Sequence, residues 1–106
     1  MKKALAFILL LLAINQTLIA APGPSVIFVA GTVVDQSSKE TLAGVEVRVK
    51  GTDIVTYTNF DGNFYLPELP AGTYTLEFNY ITYTSTSVIA DGRDAEPTVS
   101  VEMQQR

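Results

Sequence analysis

The strictest pattern in the chain is an alternation of apolar and polar residues with a period of two. Residues 45–50 read VEVRVK, so valines alternate with charged side chains. Residues 73–80 (TYTLEFNY) and 98–103 (TVSVEM) have the same spacing. Successive side chains of a β-strand point to opposite faces of a sheet, whereas one face of a helix recurs every three to four residues. The alternation therefore predicts strands that are half buried against a core.

The segments between these strands extend the pattern into an all-β domain. Residues 26–35 (VIFVAGTVVD) are almost entirely apolar, which predicts a strand buried on both faces. Residues 83–90 are rich in Thr and Ser, which favours a strand at the edge of a sheet or one with a solvent-exposed face. We count seven short strands with turn signals every eight to twelve residues, and no helical period follows the N-terminus. This pattern predicts a seven-stranded antiparallel β-sandwich.

The N-terminus has the layout of a secretory signal peptide. A charged start precedes an apolar run at residues 4–14, and small residues follow at positions 20–21. The alternative is a membrane anchor, but the run is about half the ~20 residues that a spanning helix needs. We therefore predict a signal peptide at 1–21, a leader and the start of the first strand at 22–28, a β-sandwich domain at 29–103 and a tail at 104–106.

Net charge limits the classes of partner. The full chain has 7 basic and 11 acidic residues; without Lys2 and Lys3 the balance is 5 against 11, a net charge of −6. An acidic domain of this kind lacks the basic surface that binds nucleic acid or anionic lipid. We predict an exported protein with no membrane span after signal cleavage. Its expected location is the periplasm, where it would associate with the outer membrane or stay free.

The side chains that most enzymes need are missing from the sequence. The chain contains no His and no Cys, which excludes a Ser-His-Asp triad, a Cys nucleophile and an ordinary zinc site. The acidic residues are scattered beside turns and along strands, as solvated surface acids are. Ser37, Ser38, Lys39 and Glu40 form a polar cluster without a recognisable catalytic motif. We predict no catalytic residue, no cofactor and no metal.

The segment NFDGN at residues 59–63 fits two interpretations. Asn59, Asp61, Gly62 and Glu68 match the spacing of a calcium loop, but Tyr57 then occupies the first position, where a carboxylate is needed. A tight turn explains the same residues, because Asn and Asp bond to nearby backbone N–H groups and Gly accepts a positive φ. We predict that this segment is the turn of a β-hairpin.

The aromatic residues separate by their phase along the strands. Phe64, Tyr74, Phe78 and Tyr80 fall on inward stripes, whereas Phe60, Tyr65 and Tyr83 are out of phase. Exposed tyrosines suit either a protein contact or a platform on which sugars stack. Tyr65, Tyr80 and Tyr83 are therefore the predicted interaction surface, and both kinds of ligand remain open.

The motifs taken in series resemble those of one protein family. GTVVD (residues 31–35), TLAGVEVRVKGT (41–52) and the segment from TNFDGNFYLP to YITY (58–83) are similar to the carboxypeptidase-regulatory-like domain family. That family includes the N-terminal extension of TonB-dependent outer-membrane receptors. The resemblance implies a transthyretin-like, or prealbumin-like, fold without catalytic activity. It also implies that Asn59, Asp61 and Gly62 form the family's turn, and that Thr82 replaces a common Gly.

These observations lead to two functional hypotheses. The first is a non-catalytic exported module that binds an envelope or outer-membrane protein, as the resemblance to nutrient (glycan) receptors implies. It would dock through an exposed strand edge or through the corner at residues 80–83. The second is a small carbohydrate-binding module that uses Tyr65 and Tyr83.

Overall fold

Short strands account for the regular structure of this chain. The structure, a computed structural model, describes Gly23 and residues 25–106; the predicted signal peptide lies outside these residues. The described part contains nine strands and no helix. The strands are β1 (Val26–Ile27), β2 (Ala30–Asp35), β3 (Glu46–Val49), β4 (Val55–Tyr57), β5 (Asn63–Tyr65), β6 (Leu69–Pro70), β7 (Tyr74–Asn79), β8 (Thr86–Ala90) and β9 (Thr98–Met103). None of the described residues belongs to a helix with the length and hydropathy needed to cross a membrane.

Two sheets pack face to face. One has four strands in the order β4-β3-β7-β8, and the other has three in the order β5-β2-β9. A short pair, β1 with β6, forms a third, two-stranded sheet. The prediction of an all-β sandwich is confirmed, and so is the edge position of the Thr/Ser-rich strand β8.

The core lies between the two main sheets and is formed by the apolar side of each alternating strand. Its buried members include Val47, Val49, Leu76 and Phe78 from the four-stranded sheet. From the opposite sheet, Phe64 meets Phe78 edge to face, with 5.5 Å between the ring centroids. The burial of alternate residues in β3, β7 and β9 confirms the interpretation of their period-two patterns.

Three details of the predicted fold are wrong. The apolar run at residues 26–35 is split into β1 and β2, and β2 alternates in burial instead of being buried on both faces. The split arises because β1 pairs with β6 whereas β2 pairs with β5 and β9. With the short pair β1 and β6, the strand count is nine instead of seven. Finally, β9 pairs with β2 in a parallel arrangement, and it does not pair with β8 because the loop at residues 91–97 crosses between the sheets and does not form a hairpin.

Candidate interaction surface

The NFDGN segment forms a tight turn that is closed by its own first residue. The side-chain oxygen Oδ1 of Asn59 accepts hydrogen bonds from the N–H groups of Asp61 and Asn63, both at 3.0 Å. Gly62 has a φ of 77°, in the left-handed region that glycine adopts most easily. The strands that flank this turn belong to different sheets, since β4 pairs with β3 and β5 pairs with β2. The hairpin prediction is therefore wrong: the turn carries the chain from one sheet to the other.

This geometry leaves little basis for a calcium loop. The Oδ1 atom of Asn59 points at the backbone of its own turn, while the Asp61 side chain is exposed. Within the described residues, no cluster of three or more His, Cys, Asp or Glu side chains is placed to hold a metal ion.

A buried aspartate connects three distant parts of the chain. The Tyr83 hydroxyl donates a hydrogen bond to Asp35 Oδ2 at 2.6 Å, and Gln105 Nε2 donates to the same atom at 3.1 Å. The other carboxylate oxygen, Oδ1, accepts the N–H groups of Ser37 and Ser38 at 2.8 and 2.9 Å. We call Asp35, Tyr83 and Gln105 the aspartate network. It joins the end of β2, the corner at residues 80–83 and the C-terminal residues.

The network shifts the protonation equilibria of both partners. The hydrogen bond from Tyr83, followed by that from the Ser38 N–H, lowers the pKa of Asp35 from 3.8 to about 2, although burial opposes this shift. In turn, the hydrogen bond to Asp35 raises the pKa of Tyr83 above its ordinary value of 10.0. At neutral pH Asp35 is therefore ionised and Tyr83 is protonated, which are the states that favour their hydrogen bond.

At the corner of residues 80–83 the exposed side chain is that of Ile81, whereas Tyr83 was expected to be exposed. Tyr83 is 7% exposed, and its ring lies 5.5 Å from the half-buried ring of Tyr80. The expectation that Tyr83 belongs to an open surface is wrong, because its hydroxyl finds a partner inside the domain. Ile81, at the tip of the corner, is 80% exposed.

The three C-terminal residues, expected as a tail, form backbone hydrogen bonds or bridges with residues 82–84.

Tyr65 lies in a shallow groove on the outside of the three-stranded sheet. Its neighbours Phe64 and Leu66 are buried, so the strand alternation turns the Tyr65 side chain outward, where it is 63% exposed. Phe28 is 47% exposed for the same reason, since it lies between two buried residues. We define the Phe28–Tyr65 groove, with a volume of about 330 Å³, by its lining residues Phe28, Ala30, Tyr65, Glu96, Pro97 and Thr98.

The groove opens onto a surface with few charges, which we call the neutral face. The neutral face comprises the outward residues Ala30, Thr32, Asn63, Tyr65, Thr98 and Ser100. They are in register across the three strands, and the Thr32 hydroxyl bonds to Asn63 Oδ1 at 2.7 Å. Glu102 stands at the far end of the sheet and forms an ion pair with Lys39 at 2.6 Å. The centre of the neutral face is therefore uncharged.

The outer side of the four-stranded sheet, which we call the charged face, is different. Its outward residues include Glu46, Arg48, Tyr57, Thr75, Glu77, Ser87 and, on edge strand β8, Ile89, which is 67% exposed. Arg48 lies 3.8 Å from Glu46 and directly opposite Glu77 across the sheet. Tyr57 is 59% exposed, but it stands beside Glu46, whose carboxylate already has a cationic neighbour. A charged, internally paired face of this kind is typical of a solvated surface.

Sequence analysis missed two residues of this arrangement. Phe28 lies in a run of apolar residues, so the sequence does not show that its side chain points outward. This orientation becomes clear only from the break between β1 and β2. Asp35 ends the motif GTVVD and is followed by Gln36 and then by two serines, which is a recognisable turn signal. Its bond to Tyr83 spans 48 positions and leaves no local trace in the sequence.

Comparisons with known proteins assign the chain to a family. The CarboxypepD_reg-like domain model matches residues 29–106. The TonB-dependent receptor P3 of Formosa agariphila is 34% identical over 76 residues, which are 72% of this chain and 7% of the receptor. This chain thus matches only a small part of that relative's length.

Solved structures with the same fold come from crystals of cohesin-X-dockerin complexes. Chains in two interface mutants of the type II complex from Acetivibrio cellulolyticus match with TM-scores of 0.59 and 0.61, both at 23% identity. The matches cover 71% and 74% of this chain, and 52% and 58% of those chains. At this identity the likeness concerns the fold alone. The family match, over most of the chain, confirms the resemblance seen in the motifs: this chain belongs to the CarboxypepD_reg-like domain family.

Proposed function

We propose that this protein is a non-catalytic interaction module of the bacterial envelope. It is exported to the periplasm and binds an envelope or outer-membrane protein. Membership of the CarboxypepD_reg-like family and similarity to a TonB-dependent receptor support this location and role. The polar groups with the most specific environment, Asp35 and Tyr83, are occupied in holding the fold together.

The observation that carries the proposal is the difference between the two outer faces of the sandwich. Protein interfaces are depleted of charge at their centre and enriched in aromatic residues. The neutral face has this composition, with uncharged residues at its centre and Phe28 and Tyr65 at one end. Phe28 and Tyr65 line one groove at this end and are 47% and 63% exposed, and we infer that a partner covers them.

Glycan binding is the second candidate function. Tyr65 stands on the same side of β5 as Asn63, and an aromatic ring beside an amide is a combination that binds sugars. Tyr65 and Tyr83, which the sequence suggests for sugar binding, do not form such a platform together, because Tyr83 is buried. A sugar site would have to use Phe28 in its place.

Photo-crosslinking tests the proposed function directly. Tyr65→p-benzoylphenylalanine places a crosslinking group on the neutral face, and Tyr57→p-benzoylphenylalanine places it on the charged face with similar exposure. We expect irradiation of intact cells to yield a discrete adduct with an envelope protein from position 65 and not from position 57. Equal adducts from both positions, or none from position 65, would contradict the proposal.

Two matched serine variants test the same surface by disruption. Ser100→Arg adds a charge to an exposed position of the neutral face on edge strand β9, and Ser87→Arg does so on the charged face on edge strand β8. We expect Ser100→Arg to abolish the adduct formed at position 65 and Ser87→Arg to leave it unchanged. Circular dichroism of both variants checks that the fold is retained.

A further inference from the structure

We propose that the Phe28–Tyr65 groove binds an arginine or lysine side chain from a basic segment of the protein partner. This inference deepens the proposed function, on which it rests, by specifying the chemistry of the partner. The ligand class follows from the combination of two exposed aromatic rings, one carboxylate and the acidic charge of the whole domain.

The rings of the groove are held outward by the fold. Ile27 and Val29 are buried on either side of Phe28, and Phe64 and Leu66 are buried on either side of Tyr65. Neither aromatic side chain is able to turn inward without removing a core residue. The groove therefore exists before any ligand arrives, and binding does not require the strands to rearrange.

The carboxylate at the edge of the groove belongs to a loop that is tied to the sheet. The N–H of Phe28 donates to the carbonyl of Ala95 at 2.8 Å, and the N–H of Ala30 donates to that of Pro97 at 3.2 Å. These two hydrogen bonds fix the backbone on both sides of Glu96. Glu96 makes no ion pair within the part of the chain that the structure describes. An exposed acid on a fixed backbone, in a groove that two aromatic rings also line, is suited to receive a cation.

Arginine and lysine match each part of this site. A cation over an aromatic face is attracted by the negative charge density of the ring, even at an exposed position. The aliphatic stems of both side chains also pack against apolar surface while the charged end reaches a carboxylate. Tyr65 supplies the ring, Phe28 and Pro97 supply apolar walls, and Glu96 supplies the charge.

Charge complementarity favours a basic partner. Without its first 22 residues, the chain has 5 basic residues against 11 acidic ones, a net charge of −6. Three of those basic residues already form ion pairs within the domain: Lys39, Arg48 and Arg93. The acidic excess therefore attracts positively charged segments and speeds their encounter with the groove.

Titration of the full chain, labelled with nitrogen-15, with synthetic peptides tests this inference. The probe is a nonapeptide of alternating Ser and Arg, and the control has Gln at every Arg position. We expect the Arg peptide to shift the amide resonances of Phe28, Ala30, Tyr65 and Thr98, and the Gln peptide to leave them unchanged. Added salt should weaken the binding, because the site is exposed.

Variants of the groove and of the charged face form a matched set. We expect Tyr65→Ala and Glu96→Gln each to weaken binding of the Arg peptide about threefold to fivefold. Tyr57→Ala and Glu46→Gln change the corresponding tyrosine and acid on the charged face, and should have no effect. Equal weakening by the control variants would indicate general attraction to an acidic domain and would overturn the site.

Other outcomes separate this inference from the proposed function. Equal binding of the Arg and Gln peptides, or shifts of the same resonances by cellohexaose, would overturn the cation site; the latter would favour glycan binding. If the Arg peptide fails but position 65 still crosslinks to an envelope protein, the proposed function stands and the cation inference fails. If the peptide binds in the groove but no protein crosslinks there, the site stands and the proposed function fails.

Discussion

Two corners of the sandwich use the same backbone geometry in different ways. The first, at residues 59–62, places Gly62 at a φ of 77°; the second, at residues 80–83, places Thr82 at a φ of 67°. Both close onto β2, because Val33 donates its N–H to the Gly62 carbonyl and Asp35 accepts the Tyr83 hydroxyl. One corner uses glycine in the left-handed region and the other uses a β-branched residue, for which this region is unusual.

The difference shows that a turn is held either by its own residues or by the rest of the fold. Asn59 closes the first corner locally through two backbone hydrogen bonds. In the second corner the only bond within the turn is from the Tyr83 N–H to the Tyr80 carbonyl, at 3.1 Å. Its geometry depends instead on the aspartate network and on the hydrogen bonds between the C-terminal residues and residues 82–84, which is why the fold is able to impose a strained φ on Thr82.

Gly62→Ala should have the largest effect, because it removes the feature that allows the first corner to form. A Cβ at this position would lie 2.8 Å from Thr41 Cβ and 2.9 Å from the Val33 carbonyl oxygen. The clash adds to the cost of a left-handed alanine, and together they should destabilise the domain by about 3 kcal/mol. Urea unfolding followed by circular dichroism measures this loss. A loss below about 1 kcal/mol would mean that the first corner tolerates a side chain as well as the second does, and that it does not require glycine.

Tyr83→Phe should remove the bond that holds the second corner, with an effect that depends on pH. The pKa of Asp35 should rise from about 2 toward 3.8, since the hydrogen bond from Tyr83 is the main cause of its depression. Carbon-13 NMR of the Asp35 carboxyl group measures this pKa in both proteins.

The sign of the stability effect follows from the two pKa shifts. A carboxyl whose pKa is depressed by folding contributes stability above its unfolded pKa and loses it as the pH falls, here between about 3.8 and 2. Tyr83, whose pKa is raised, contributes stability below its ordinary pKa of 10.0 and loses it as the pH rises further. The wild type should therefore exceed Tyr83→Phe in stability from about pH 4 to pH 10, and the difference should shrink on either side. A difference independent of pH would mean that the hydroxyl acts only through packing.

Asn59→Ala should have a smaller effect than either change, because the turn it closes is exposed and water can replace the lost acceptor. We expect a loss of about 1 kcal/mol for the two hydrogen bonds to Asp61 and Asn63. Asn59→Asp retains the acceptor oxygen and serves as the control, with a stability near that of the wild type. A loss in Asn59→Asp as large as in Asn59→Ala would contradict local closure of this corner.

The fold was predictable where a strand encodes its own burial. The alternating residues around Val47, Phe78 and Val101 indicate which side faces the core, and all three are buried. The parallel pairing of β2 with β9 was not predictable. The alternation of apolar and polar residues indicates which side of a strand is buried, but it does not indicate which strands lie next to it. The crossing between sheets at residues 59–63 was missed for the same reason, since a tight turn has the same local chemistry in a hairpin.

The candidate site was predictable only in part, because several of its contacts join residues that are far apart in the sequence. The outward position of Tyr65 follows from the phase of its own strand. Tyr83 is also out of phase, yet it is buried, because Asp35 provides a partner for its hydroxyl from 48 positions away. The groove itself depends on the approach of loop 91–97 to Phe28, which no local pattern records.

Thr82→Gly should have the smallest effect, and it is the one change expected to stabilise the domain. Glycine removes the steric cost of a left-handed residue at a φ of 67°, about 1–2 kcal/mol, but loses about 0.5–1 kcal/mol in backbone entropy on folding. The expected net gain is about 0.5–1 kcal/mol, seen as a higher urea midpoint with an unchanged slope. Thr84→Gly, two positions beyond the corner and not at a positive φ, is the control and should destabilise or have no effect. If Thr82→Gly destabilises the domain as well, the threonine side chain stabilises the second corner, and the two corners differ in side-chain contacts instead of in strain.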